Sequence, residues 1–332
     1  MDSSLAGRAV KDDSRLSETV AGNDMLRKIG IGVAVLAVLC LAGAALLAAY
    51  GVHQVEGAYF DADGVRLHYT EDGSGEPVVL IHGFAVNADV NWRKSGIIRA
   101  LSKDYRVLAI DNRAHGRSDR PEDAAQYGIE MVEDVVRLLD HLDIEKAHVV
   151  GYSMGGFITL KLLTMHPDRL LSAVPCGAGW IHADEDRMQL MQGVVESLEA
   201  GEGIRPLMNR LRPGRQLSRV LERFVVNTFV VHMHDQKALA RAFASLPALE
   251  VTEEELRRNN VPVLCVVGSD DPLKAGVDAL AGVRPDLDTV VIEGANHGNA
   301  VLRPQFRQGL KRFLDTHGGR VTPTEGVQAA AP

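Results

Sequence analysis

Short runs of Val, Ile and Leu recur along this chain, and they limit what it can fold into more than any other feature. Pro77 to Ile81, Arg106 to Ile110, His148 to Gly151, Leu170 to Val174, Val261 to Val267 and Thr289 to Ile292 are such runs. They lack the polar alternation of a strand that is wet on one face. Continuous apolar strands are buried on both faces, which is the position of strands in a mostly parallel sheet covered by helices. Helical patterns separate them. Val132, Val135, Val136, Leu139 and Leu142 fall at helical spacing within residues 129–142, and Met154 to Met165 forms a second helix that Pro167 ends. Upstream, Tyr59 to Asp61 and Val65 to Tyr69 flank Asp63-Gly64, a hairpin turn signal. The sum is an α/β class chain with an eight-stranded, mostly parallel sheet and helices on both faces.

Two regions depart from the alternation. Between Gly179 and about Asn260 there are helical patterns without a clear strand: Met188, Met191, Val194, Val195 and Leu198 make one apolar stripe, and Val225, Val226, Phe229, Val230 and Met233 another. This insert, about 179–260, is expected to be a helical lid over a domain spanning 57–317. Ahead of the domain, Ile29 to Tyr50 carries no charge, which is long enough for a bilayer-spanning helix of about 20 residues. Arg27 and Lys28 precede it and acidic residues follow. The expectation is a cytoplasmic tail over 1–28, an anchor in the lipid bilayer over 29–52, and a catalytic domain outside the cytoplasm. The competing expectation is a cleaved signal and a secreted domain. Residues 318–332 read as a loose tail.

Composition excludes other classes. The net charge is -8, and no Lys/Arg cluster is present to bind phosphates, so nucleic acid is not an expected partner. The three cysteines, Cys40, Cys176 and Cys265, form neither a disulfide framework nor a CxxC metal site.

The chemistry-bearing feature is Gly151-Tyr152-Ser153-Met154-Gly155, with a strand before it and a helix after it. A serine hydroxyl needs a base to take its proton and a rigid place from which to reach a carbonyl. A sharp strand-to-helix turn between glycines supplies that place, and the helix N-terminus directs partial positive charge at a developing oxyanion. Further motifs accompany it: Ile81-His82-Gly83-Phe84, Asp111-Asn112-Arg113-Ala114-His115-Gly116-Arg117-Ser118, Gly268-Ser269-Asp270-Asp271-Pro272 and Gly294-Ala295-Asn296-His297.

In these motifs, from about Tyr59 to Leu314, the chain resembles the lid-bearing members of the α/β-hydrolase family. The second motif resembles that family's D-x-R-G-x-G-x-S loop, with Ala114 standing where a glycine is usual. The resemblance implies a triad in the order serine, acid, histidine: Ser153 as nucleophile, Asp271 as acid with Asp270 as the alternative, and His297 as base. It implies an oxyanion hole from the backbone N–H groups of Phe84 and Met154, with no cofactor and no metal. His82, His115 and His232 read as structural, His82 with the option of bracing the oxyanion loop. Trp92 reads equally as a pocket-entrance residue or a core anchor. Dehalogenases and epoxide hydrolases of this fold carry Asp at the position of Ser153. The expected activity is therefore a carboxylesterase-like serine hydrolase acting on a small ester with an apolar group. The alternatives are a carbon–carbon bond hydrolase or perhydrolase with the same triad, or a non-enzymatic ligand-binding protein on the scaffold.

Overall fold

In the computed structural model of the chain, residues 54–180, 184–211, 234–258 and 260–318 are described, together with 27, 30–35, 37, 38, 41 and 43. The chain divides into two compact units, Met1–His53 and Gln54–Pro332.

The second unit is built on one sheet with the order β1-β2-β4-β3-β5-β6-β7-β8. The strands are β1 (Ala58–Asp61), β2 (Arg66–Asp72), β3 (Glu76–Ile81), β4 (Tyr105–Ile110), β5 (Ala147–Tyr152), β6 (Leu170–Cys176), β7 (Leu264–Gly268) and β8 (Asp288–Ile292). β2 pairs antiparallel with both β1 and β4, and the remaining pairings are parallel. The β1–β2 turn forms where Asp63-Gly64 predicts it. Both residues have positive φ (58° and 82°), and Ala62 N–H donates to the Val65 carbonyl at 2.8 Å. Two left-handed residues match the twist of a two-residue hairpin.

The apolar runs are continuous because both faces of the sheet are covered. On one side Val79 and Ile81 of β3, Leu108 and Ile110 of β4 and Val149 of β5 join a core cluster. The same cluster holds Met131, Val135 and Leu138 of α2 (Ile129–His141), after α1 (Ile97–Leu101), and Ile158 and Leu162 of α3 (Met154–Met165). The alternate residues Val78, Leu80, Val107, Ala109 and Val150 point the other way, toward Ile97 and Leu101 of α1 and Phe306 and Leu310 of the C-terminal helix Pro304–His317. A period of two along each strand makes this division.

The lid enters between β6 and β7 as α4 (Glu185–Glu199), α5 (Arg205–Leu211) and α6 (Gln236–Ala244), followed by α7 (Glu253–Arg257). Of the expected stripe on α4, Val194 and Leu198 are buried and Met191 and Val195 pack against their cluster, while Met188 is 64% exposed. The stripe at Val225 to Met233 lies outside the described residues, as does His232.

The N-terminal expectation is corrected. Among the described residues no helix is long and apolar enough to cross a membrane. Of 29–52, residues 30–35, 37, 38, 41 and 43 are described, all helical and exposed; the rest lies outside the described residues, as does the 1–28 tail apart from residue 27 and the 318–332 tail beyond residue 318. The anchored domain outside the cytoplasm rested on that span and is not supported.

The loop at residues 111–118 ties the sheet to the site through buried polar groups. Asp111 accepts from the N–H groups of Ala88 (2.9 Å) and Arg117 (3.0 Å) and pairs with His68 Nδ1 at 2.9 Å. Burial alone would raise its pKa, but these bonds and the nearby His82 outweigh burial and hold the carboxyl below its usual range. Arg113, fully buried, grips Asp134 of α2 with two bonds of 2.6 Å. Ala114 has φ 69°, so the departure from glycine falls where glycine would be easiest. Its methyl is fully buried beside the lid cluster. Burying that methyl contributes about 0.8 kcal/mol, which offsets part of the roughly 1–2 kcal/mol of left-handed strain.

A depressed carboxylate pKa contributes stability that is present above the unfolded value and lost as pH falls through the folded one. Asp111→Ala is therefore expected to cost about 3 kcal/mol at pH 7 by urea unfolding, and to flatten the acid limb of the stability–pH curve. A loss under about 1 kcal/mol would show that the loop holds without this carboxylate.

Candidate active site

Ser153 occupies the single residue between β5 and α3, with φ 54° and ψ -114°. A non-glycine residue at positive φ is strained, and such strain persists only where the surroundings fix it. Here they do so through backbone approach. A methyl added at Gly151 would overlap the Gly155 carbonyl, and one added at Gly155 would overlap the Ile81 carbonyl at the end of β3. Without side chains at these two positions, α3 seats its first turn directly against the ends of two strands. Ser153 N–H donates to the Cys176 carbonyl at 2.8 Å, which fixes the turn to β6 as well.

The structure brings the three expected side chains into one hydrogen-bonded line. His297 Nε2 lies 2.9 Å from Ser153 Oγ, and His297 Nδ1 lies 2.8 Å from Asp271 Oδ2. Asp271 and His297 are both buried, at 4% and 7% exposure. The other Asp271 oxygen accepts the Leu273 N–H at 2.9 Å, so the carboxylate cannot swing away without loss. Asp270, the alternative acid, is exposed and accepts from its neighbour Ser269 Oγ. Asp271 follows β7 and His297 follows β8, so parallel strands deliver both to the edge where β5 ends.

Phe84 and Met154 line the same cavity as Ser153. Among the described residues neither backbone N–H donates to a protein acceptor. Met154 opens α3, where the first N–H groups have no intrahelical partner. The Phe84 side is held by a frame. Gly83 N–H donates to Asn91 Oδ1 (3.0 Å), and His82 Nδ1–H donates to the Gly83 carbonyl (2.7 Å) while its Nε2 accepts the Asn112 N–H (3.0 Å). Burial pushes the His82 pKa down, which keeps that ring neutral. His82 thus braces the loop, one of the two roles its position allowed.

Several contacts of the site are absent from the sequence reading. Tyr152 is buried and donates its hydroxyl to the His297 carbonyl at 2.6 Å, so the residue before the serine holds the histidine turn. Asn91 and His115 bond the oxyanion loop from residues outside the Ile81–Phe84 motif. Trp92 is fully buried in the core, edge-on to Tyr152, so of its two readings the anchor is the one the structure bears out. A cavity of about 450 Å³ opens from Ser153, walled by Phe157, Trp180, Leu190, Met191, Leu207 and Phe243. Asp184, Asp186, Arg187 and Arg210 are its charged lining residues. Among the described residues no group of three or more His, Cys, Asp or Glu is arranged to hold a metal ion.

The sequence signature of the alpha/beta hydrolase fold matches residues 76–304. A non-heme chloroperoxidase from Kitasatospora aureofaciens is 27% identical over 275 residues, 76% of this chain and 97% of its own length. A 2-hydroxymuconate semialdehyde hydrolase from a Pseudomonas species is 34% identical over 188 residues, 56% of this chain and 59% of that protein. Among solved structures, a thermophilic esterase from Thermogutta terrifontis aligns with a TM-score of 0.67 at 22% identity, over 80% of this chain and 100% of its own. At that identity the likeness shows the fold.

The close seating of α3 carries a prediction. Gly155→Ala is expected to cost about 2 kcal/mol or more in urea unfolding, because a methyl must displace the end of β3. The folded fraction is also expected to react more slowly with a fluorophosphonate. Wild-type stability in this variant would show that the turn has slack.

Proposed function

The chain belongs to the α/β-hydrolase family, and from that premise we propose that it is a serine hydrolase that cleaves a carboxylic ester through an acyl-enzyme on Ser153. The observation that supports this reading most is the unbroken Asp271–His297–Ser153 line opening on an apolar cavity. His297 Nε2 takes the hydroxyl proton as Ser153 Oγ attacks the ester carbonyl. The imidazolium that forms is stabilised by Asp271, which also fixes the tautomer through Nδ1–H. The carbonyl oxygen becomes an oxyanion that accepts the N–H groups of Phe84 and Met154. His297 then protonates the departing alkoxide, and the acyl group remains on Ser153. A water molecule, giving its proton to His297, attacks that acyl carbon. The carboxylic acid departs and Ser153 Oγ regains a proton.

The cavity walls favour a substrate with a neutral apolar acyl group. Each buried methylene contributes about 0.8 kcal/mol, roughly fourfold in kcat/KM while it finds apolar wall. A second reading is cleavage of an activated carbon–carbon bond by the same residues, and the likeness to 2-hydroxymuconate semialdehyde hydrolase supports keeping it.

Turnover of p-nitrophenyl esters tests the reading. Ser153→Ala is expected to lower kcat by about 10⁴-fold or more with the fold intact by circular dichroism, and Asp271→Asn by about 10⁴-fold. Undiminished turnover in Ser153→Ala would sink the assignment. In the wild type, kcat/KM is expected to rise from acetate to hexanoate esters; a flat or falling series would rule out the apolar acyl site.

A further inference from the structure

Three histidines that take no proton in this chemistry lie in a row behind the oxyanion loop, one pair of rings tilted and the other edge-on. The ring centroids of His82 and His115 are 5.0 Å apart, and those of His115 and His234 are 5.5 Å apart. All three are buried. His115 is the middle ring, and both of its nitrogens are engaged. Nδ1–H donates to the Arg113 carbonyl at 2.8 Å. That fixes the tautomer and leaves Nε2 as an acceptor, which takes the Ala85 N–H at 3.1 Å.

Ala85 is the next residue after Phe84, and its φ is 55°. A left-handed alanine costs about 1–2 kcal/mol and relaxes unless something holds it. Phe84 sits between two peptide planes. The plane that carries its N–H has its carbonyl end on Gly83, where His82 grips it. The following plane has its N–H end on Ala85, where His115 grips it. With both planes fixed, the rotation of Phe84 about its own Cα is fixed, and so is the direction of its N–H.

We propose that His115 is a positioning residue of the oxyanion hole: by accepting the Ala85 N–H it aims the Phe84 N–H at the oxyanion. This inference rests on the serine-hydrolase reading. The surroundings favour the neutral acceptor form it requires. Burial, the neighbouring His82 and His234, and Arg120 all hold the His115 pKa well below its ordinary value, against the Arg113 carbonyl. Asp111 is the carboxylate near these rings, and it acts on His82 and His234. The bond also reaches the lid. His234 stands one residue before Asp235, which caps α6, and Phe243 of α6 lies 4.9 Å from the Phe84 ring. The backbone of the oxyanion loop is therefore held from beneath by His115 while the lid packs on its side chain.

Steady-state kinetics on the full chain separate this role from simple packing. His115→Phe fills the ring space and removes both nitrogens. It is expected to lower kcat about 10-fold to 100-fold with KM changed less than about threefold, since the contact that the donor makes with the oxyanion forms only in the transition state. Affinity for an alkylboronic acid, which forms a tetrahedral adduct on the serine, is expected to fall by the same factor. His115→Gln, whose amide oxygen comes near the position of Nε2, is expected to recover most of the loss. Wild-type kcat in a folded His115→Phe, or equal loss in the Phe and Gln variants, would overturn the proposal. If His115→Phe does not fold, ¹⁵N-labelled wild-type protein decides. A scalar coupling across the hydrogen bond between Ala85 N and His115 Nε2 supports the role, and its absence overturns it. Ser153→Ala is measured alongside. Wild-type turnover that survives Ser153→Ala overturns the serine reading. Turnover lost in Ser153→Ala but kept in His115→Phe overturns only the role of His115.

Discussion

The site depends on how closely the N-terminus of α3 approaches the ends of β3 and β5. That approach is possible because Gly151 and Gly155 present no side chain where the backbones meet. Three consequences follow from one contact. The strand must become a helix within a single residue, which forces Ser153 to positive φ and lifts its hydroxyl clear of the sheet. The unpaired N–H groups of the first helical turn point at the space above the serine. The residues after β3 are also brought beside the same space, so Phe84 and Met154 line one cavity although 70 positions separate them. The order of the sheet adds the rest. β3 has β4 on one side and β5 on the other, so the chain leaves their carboxyl ends in opposite directions, and a crevice opens there.

A turn this tight stores strain, and the buried polar network around it supplies the rigidity that keeps the strain in place. Ala85 and Ala114, both alanines at positive φ, sit on the two loops that meet behind the oxyanion position. Each is tied by buried bonds: Ala85 to His115, and Ala114 to the Asp119 carbonyl at 3.1 Å. Both also belong to the apolar cluster formed by the lid helices. A buried polar group is expensive when unpaired and rigid when paired. Asp111 pairs with His68 Nδ1, His82 accepts the Asn112 N–H, and Arg113 reaches out of its loop to Asp134 of α2, so these bonds hold the loops to each other and to the helix beneath. The lid and the polar network therefore act on the same few backbone positions from opposite sides.

Much of this was legible in the sequence because it follows from local rules. The apolar runs gave the sheet and Asp63-Gly64 gave the hairpin, while the line of three came from the resemblance of the motifs to the α/β-hydrolase family. What was not legible shares a physical character. In the sequence Asp271 reads as the acid with Asp270 as the alternative, and the direction in which the turn faces, which puts Asp271 and not Asp270 against His297, is a property of the fold. Tyr152 to His297 and His115 to Ala85 are contacts across 145 and 30 positions, created by the sheet order and by no spacing rule. Met188 fitted a helical stripe yet is exposed, because the buried seam of that helix runs through Val194 and Leu198 near its other end. The uncharged run over 29–52 met a length rule for spanning helices, but apolar length is a necessary feature of such a helix and does not by itself make one.

The chemistry at Ser153 and the choice of substrate are controlled by different parts of the chain. In the proposed reaction, attack, proton transfer and oxyanion stabilisation would all take place within the elbow, the two loops and the histidine turn. Selection is made by what the cavity can desolvate, and most of its wall comes from the insert between β6 and β7. Apolar walls discriminate weakly between chains that differ by one methylene and strongly against a charge left without a partner. Arg187 already pairs with Glu250 at 3.1 Å, and Asp184 caps α4 by accepting the Arg187 N–H. Two of the four charged side chains lining the cavity are thus committed to holding the lid together. Of the other two, Arg210 is a cation on the wall, so in the proposed reaction a carboxylate on the acyl group would gain only where it reaches that side chain. In the proposed reaction a neutral acyl chain would gain from the aromatic and aliphatic walls, so the lid that packs on Phe84 would favour uncharged substrates.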